Sequence, residues 1–198
     1  MSGEFAGRVA LVTGGAGDGI GSATCLRLAR DGAAVVVVDE HEGRTKEVSE
    51  RIASETGATV LGFPGDIADR ERMDEVLAAT TSQLGPVDIL VNNAAINSLG
   101  DVVDLEPTQW DRVIAVDLSA CFYLIHRTLP QMIERRKGSI VNITSVAGYI
   151  GSGREGPYAA AKAALHSLTR SVAFLVSERS GFITGETLNI SGGWYTRP

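Results

Sequence analysis

Sulfur and imidazole are scarce in this chain. Cys25 and Cys121 are its only cysteines and fall in separate predicted helices, far from any paired-ligand spacing, so buried apolar packing is expected for both. Of the three histidines, His41 lies in a polar loop, while His126 and His166 lie on predicted helices without a second ligand at metal spacing; no metal site is expected. Basic charge is also short. Eighteen Lys and Arg against 24 Asp and Glu leave a net charge of -6, with no basic stripe for nucleic acid or an anionic membrane surface. No unbroken apolar run approaches the ~20 residues that span a bilayer. The N-terminal stretch, with Glu4 and Arg8 among few apolar residues, carries no signal-peptide core, so a cytoplasmic protein is expected. With 198 residues and 44% hydrophobic content, the chain suits one domain, 1–198, with a sizeable core.

What is present centres on residues 9–21, an apolar run, Val9 to Val12, that breaks into Thr13-Gly14-Gly15-Ala16-Gly17-Asp18-Gly19-Ile20-Gly21 and then opens a helical segment. Strand, tight turn and helix in that order put backbone N–H groups and the positive end of a helix dipole in one place, and the missing β-carbons let a pyrophosphate approach the main chain. A glycine-rich turn alone is weak evidence, because glycine serves wherever positive φ is needed. Its context strengthens it: Ala33 to Val38 reads as a strand buried on both faces and ends in Asp39, twenty residues after Gly19.

Residues 8–13, 33–38, 59–63, 87–91 and 138–144 read as strands, separated by helical periodicity around 22–31, 43–56, 69–84 and 107–136. This alternation predicts an α/β fold, a Rossmann-type doubly wound parallel sheet whose ligand crevice lies beyond the carboxyl ends of the strands. Polar residues do follow the strands. Asp66, in Gly65-Asp66-Ile67, is placed either to meet a ligand's amino group or to cap the helix beginning near Asp69. Asn92-Asn93-Ala94-Ala95 suits close backbone approach or a simple turn, and Thr144-Ser145 follows the fifth strand. Tyr158 and Lys162, four apart at the start of an alanine-rich helix behind Gly156-Pro157, share one helix face.

Thr13-Gly14 with Gly19-Ile20-Gly21, Asp66, Asn92-Asn93-Ala94, Ser145 and Tyr158-Lys162 occur together in order, and in this the chain resembles the short-chain dehydrogenase/reductase family, near its 3-oxoacyl-carrier-protein reductase branch. Gly181 to Gly185 and Leu188 to Gly193 resemble that family's closing strand and C-terminal region. The resemblance implies hydride transfer between NAD(H) and an alcohol or ketone. Tyr158 would be the acid/base, Ser145 would hydrogen-bond the substrate oxygen, and Lys162 would hold the nicotinamide ribose while favouring the phenolate. Gly14, Gly15, Gly19, Ile20, Gly21, Asp39, Asp66, Ile67, Asn92 and Ala94 would hold the cofactor, joined by Tyr158 and Lys162. Asp39 would accept from the ribose hydroxyls and repel a 2′-phosphate, and Asp18 stands where NADP-using relatives often place a basic residue, so NAD is expected over NADP. A homodimer or homotetramer is also implied, pairing the helices around 107–136 and 158–175 through Phe122, Leu165 and Leu168, positions that suit an intrachain core equally. The family's extended branch needs a larger substrate domain than 198 residues leave room for.

Three departures from the family pattern stand out. The glycine turn is one residue longer, so it must bulge, and Asp18 is expected to face solvent. Asp117 replaces the usual Asn and joins the catalytic set with an altered proton relay. Most of all, Ser167 to Ala173 runs straight into Phe174 to Glu178, where relatives insert a sixth strand, a nicotinamide loop and a substrate-covering segment. Residues omitted near 172–174 are the expected cause. They would show as a Cα–Cα separation far above the ~3.8 Å of a trans peptide within 170–176, with 187–190 kept as the last strand. A truly continuous chain would favour the alternative function, a non-catalytic dinucleotide-binding or assembly subunit.

Overall fold

In chain order the elements are β1 (Val9–Thr13), α1 (Ile20–Arg30), β2 (Ala34–Asp39), α2 (Glu42–Thr56), β3 (Val60–Pro64), α3 (Arg70–Leu84), β4 (Ile89–Asn92), α4 (Pro107–Ile114), a π-helical turn (Ala115–Ser119), α5 (Ala120–Arg135), β5 (Ser139–Asn142), α6 (Ala147–Ile150) and α7 (Gly156–Ser180). The structure is a computed structural model describing residues 3–180, with side chains through residue 172. The expected closing strand at 187–190 and the glycine-rich segment 181–193 lie outside the described residues. Two units emerge from the contacts, one of residues 3–95 with 120–143 and one of residues 96–119 with 144–180.

The first unit holds a five-stranded parallel sheet in the order β3-β2-β1-β4-β5. Leu11 pairs with Val36 on one side and with Leu90 on the other, so β1 is central and the strand order reverses between β1 and β4. In such sheets the reversal opens a crevice at the carboxyl ends of the strands. The β-branched runs explain the sheet. Val35 to Val38 are fully buried, as strands covered by helices on both faces must be. Ala10, Val12, Val35 and Val37 form one core with Cys25 and Leu28 of α1 and Val48 and Ile52 of α2. Each fully buried Val, Leu or Ile contributes roughly 1.5–3 kcal/mol. Cys25 and Cys121 are both buried, as expected, and burial pushes the Cys25 thiol up to about 12.

Asp88, at the foot of β4, ties three segments together. Its carboxylate accepts from the backbone N–H of Val9 at 3.1 Å and from Arg135 Nη1 at 2.6 Å, with Lys137 Nζ at 3.4 Å. Burial works against the charge, but the bonds from Arg135 and Val9 and the two cations win, holding the Asp88 carboxyl below the usual range. A lowered folded value means that this contribution to stability is full above the unfolded carboxyl value of about 3.9 and is lost as pH falls through the folded one. Arg135 is 28% exposed, which places the pair between surface and buried cases. Arg135→Ala is therefore expected to cost about 2 kcal/mol at pH 7 and less at pH 3, as urea unfolding at the two pH values will measure. An equal loss at both would remove the charge from the account.

In the second unit α4, the π-helical turn and α6 pack on α7. Pro107 opens α4, where the Glu106 N–H donates to Gln109 Oε1 at 3.0 Å. The helix expected over 107–136 is thus interrupted by one wider turn around Asp117. Pro107–Arg135 as a whole is long and apolar enough, by length and composition, to cross a membrane, although no unbroken apolar run suggested it. Its α5 part packs on β4 and β5 instead, as the core helix of a sheet protein does.

The break expected within 170–176 is absent. α7 runs unbroken from Gly156 to Ser180, because no Gly or Pro follows Pro157 until Gly181 and each residue can extend the hydrogen-bonded ladder. The two helices expected on either side of that break are one helix. Of the two alternatives open for Leu165, the structure gives the intrachain core, since it is fully buried within its own chain, whereas Phe122 is 51% exposed.

Candidate active site

The glycine turn is fixed from two sides. Gly14, at φ +62°, donates its N–H to Val38 O at 2.8 Å, and a β-carbon there would lie 2.7 Å from Ala94 Cα. Gly21, in the first turn of α1, packs closer still: a β-carbon would meet Gly14 O at 2.1 Å. Between them Gly17 and Gly19 border open space, with no heavy atom within 4 Å of an added β-carbon. Asp18 is exposed to solvent, as expected.

Thr13 and Asn93, which sequence reasoning left out of the site, do the fixing. Asn93 Nδ2 donates to Thr13 O and Gly14 O, both at 3.0 Å, while Thr13 Oγ1 accepts from the N–H groups of Asn93 at 3.0 Å and Ala94 at 3.1 Å. The signal was the Asn92-Asn93 pair, whose members strand alternation sends to different tasks. Asn92 is buried and donates to Asn142 Oδ1 at 2.8 Å, joining β4 to β5.

Asp39 ends β2 beside the turn. Its carboxylate accepts from the backbone N–H of Ala16 at 3.1 Å and of His41 at 3.2 Å, leaving acceptor capacity on both oxygens. The α3 cap is Asp69, which accepts from the Arg72 N–H at 3.1 Å; Asp66 instead accepts from the Ala68 N–H at 2.9 Å in the preceding turn. Ile67 is buried, while Gly15 lies against Val37 and Ile20 is 60% exposed at the start of α1.

In the second unit Tyr158 and Lys162 lie one turn apart on α7, with the ammonium 5.4 Å from the centroid of the phenol ring. Lys162 is almost wholly buried and meets Asp117 Oδ2 at 3.4 Å. The other carboxylate oxygen, Oδ1, accepts from the Ile96 N–H at 2.8 Å, so the π-helical turn is pinned to the segment following β4. Burial raises the Asp117 carboxyl above its ordinary value, and this outweighs the opposing pull of Lys162 and of the Ile96 bond. Ser145 accepts from the Ala147 N–H at 3.2 Å as the chain turns into α6. Sequence reasoning also missed Gly148, three residues after Ser145. A β-carbon there would fall 2.8 Å from the backbone of Lys162 and Ala163, so α6 rests directly on α7 where the lysine departs. Tyr149 packs against buried His166, with ring centroids 4.1 Å apart and the planes tilted by 31°. A glycine turn at a switch point and a Tyr-Lys pair backed by a buried carboxylate are thus both in place.

The sequence profile of the family described as short chain dehydrogenase matches residues 8–185, and the chain belongs to that family. It is 37% identical over 173 residues to the 2-(S)-hydroxypropyl-CoM dehydrogenase 3 of Xanthobacter autotrophicus, covering 87% of this chain and 67% of the relative. It is 35% identical over 195 residues to the D-beta-hydroxybutyrate dehydrogenase of Rhizobium meliloti, covering 96% of this chain and 72% of the relative. Among solved structures, an NAD+-bound xylitol dehydrogenase superposes with a TM-score of 0.84 at 29% identity, over 89% of this chain and 67% of that one. The chain therefore spans about two thirds to three quarters of the length of these relatives. The Rossmann-type parallel sheet and the oxidoreductase family stand as read from the sequence.

Proposed function

We propose that this chain transfers a hydride between NAD(H) and an alcohol or ketone on a small molecule, with Tyr158 as the acid/base. The observation that carries it is the buried Lys162 ammonium beside the Tyr158 ring. The Tyr158 hydroxyl can give a proton to a substrate oxygen and take it back during turnover, and the Lys162 ammonium lies one helical turn along beside its ring. Ser145 Oγ would donate to the substrate oxygen and fix it for that exchange. Asp117 tempers the lysine's field, its charge set against the ammonium at 3.4 Å. When bound, the nicotinamide supplies the hydride donor or acceptor. The residues present fit such a cofactor: the open space over Gly17 and Gly19 suits a pyrophosphate pressed on the main chain, and Asp39 keeps lone pairs for ribose hydroxyls. The same carboxylate repels a 2′-phosphate, which is the ground for NAD over NADP. A cytoplasmic homodimer or homotetramer through α5 and α7, using Phe122 and Leu168, completes the reading.

NADH is expected to bind at least about tenfold tighter than NADPH, and Asp39→Ala to narrow that ratio. Fluorescence titration of both cofactors checks this, and equal or tighter binding of NADPH refutes it.

One observation favours a second reading. α7 is continuous where relatives insert a strand, a nicotinamide loop and a substrate cover, and more than a quarter of the hydroxybutyrate dehydrogenase has no counterpart here. The protein would then bind the dinucleotide without turnover. A broad panel of alcohols and ketones with NAD(H) separates the two: bound NADH with no turnover on any member selects the second.

A further inference from the structure

Ser145 is held through a very short helix. Its hydroxyl oxygen accepts from the Ala147 N–H at 3.2 Å and its carbonyl from the Gly148 N–H at 3.1 Å, so the residue is bonded into the first turn of α6. A hydroxyl that accepts in this way keeps its own proton to donate to a substrate oxygen. α6 itself, Ala147–Ile150, is four residues long. A helix of that length does not hold itself in water, because the cost of nucleation exceeds the gain from a few backbone bonds. Its position, and with it that of Ser145, comes from what it packs on.

That support is α7. A β-carbon on Gly148 would fall 2.8 Å from the backbone of Lys162 and Ala163, so the glycine lets the two helices close up. The next residue, Tyr149, lays its ring on His166, with centroids 4.1 Å apart and planes tilted by 31°. His166 is 3% exposed and stands one turn beyond Lys162, on the face that also buries Ala161 and Leu165. Tyr158, Lys162 and His166 therefore occupy successive turns of α7, the first two at the chemistry and the third under α6. Neither the Tyr149 ring nor the imidazole has a task in the transfer itself.

We propose that Tyr149 and His166 are positioning residues for Ser145: their contact fixes the register of α6 on α7, and thereby the place of the Ser145 hydroxyl relative to the Tyr158–Lys162 pair. Aromatic rings pack with preferred separations and tilts, so the contact specifies a position besides covering surface. A misplacement of about 1 Å in a group that orients the reacting atoms costs up to about 10²-fold in rate. This inference rests on the dehydrogenase reading of Tyr158.

The test is a double-mutant cycle on the full chain, read as single-turnover hydride transfer with butan-2-ol and NAD and with ethyl 3-oxobutanoate and NADH. Tyr149→Ala is expected to slow transfer at least tenfold with the Kd for NADH unchanged, and Tyr149→Phe, which keeps the ring, less than threefold. His166→Ala is expected to repeat the loss from the other side of the contact. In a Ser145→Ala background Tyr149→Ala is expected to cost less than twofold, because the hydroxyl that it misplaces is gone. A part in stability alone would lower Tm in both backgrounds and leave the rate at each NADH-occupied site unchanged. That outcome, or an equal loss of rate with and without the Ser145 hydroxyl, overturns the inference and leaves the dehydrogenase reading standing. Transfer with neither substrate while NADH still binds overturns both.

Discussion

Tyr158→Phe is expected to lower turnover by at least about 10²-fold while leaving the Kd for NADH unchanged, because the ring stays and only the transferable proton goes. Single-turnover hydride transfer followed by nicotinamide absorbance, alongside cofactor titration, reads the two effects separately. Substantial residual turnover would refute the assignment of Tyr158. Lys162→Ala goes further. It removes the cation beside the Tyr158 ring and leaves the Asp117 carboxylate buried with its bond to the Ile96 N–H and without the Lys162 counter-charge. Removing one partner of a buried pair costs roughly 3–5 kcal/mol. Lys162→Ala is therefore expected to lose activity, cofactor affinity and thermal stability together, and Tyr158→Phe only the first.

The second large effect concerns the glycine turn. Gly21→Ala places a β-carbon 2.1 Å from Gly14 O and 2.6 Å from Asn93 Nδ2, inside contact distance of a backbone atom that cannot swing away. Overpacking of this kind typically costs about 1–3 kcal/mol, and here the loop that moves is the cradle itself. A fall in Tm of several degrees and a loss of NADH affinity of at least about tenfold are expected together. Gly19→Ala is the contrasting case. Its β-carbon meets nothing within 4 Å, so stability should hold while the new methyl group stands where a pyrophosphate would approach. If Gly21→Ala proves as stable as the parent by calorimetry, the close packing of α1 on the turn is wrong.

The three inner strands were legible because apolar runs buried on both faces leave little choice of structure, and all five expected strands differ from those found by a residue or two at their ends. The turn was legible because its glycines are spaced by backbone geometry. What sequence hid was each contact made by something without a compositional mark. The π-helical turn at Asp117 adds one residue to a turn inside an otherwise ordinary helix, and nothing in Ala115 to Ser119 distinguishes it. Gly148 read as one small residue among several in a loop, and only its approach to the backbone of Lys162 gives it a role. The continuity of α7 ran against the expected break because that expectation came from relatives, whereas the residues themselves, free of Gly and Pro, specify helix.

Every bond that Thr13 and Asn93 make to hold the turn runs to the protein's own backbone. A loop already held in this way has little backbone freedom left to surrender when a dinucleotide arrives, so association pays mainly for the ligand's own ordering. The amide protons of Gly14, Asn93 and Ala94, already bonded within the protein, should then exchange at nearly the same rate before and after cofactor addition. The binding isotherm should likewise lack the large unfavourable entropy that marks loops folding around their ligands.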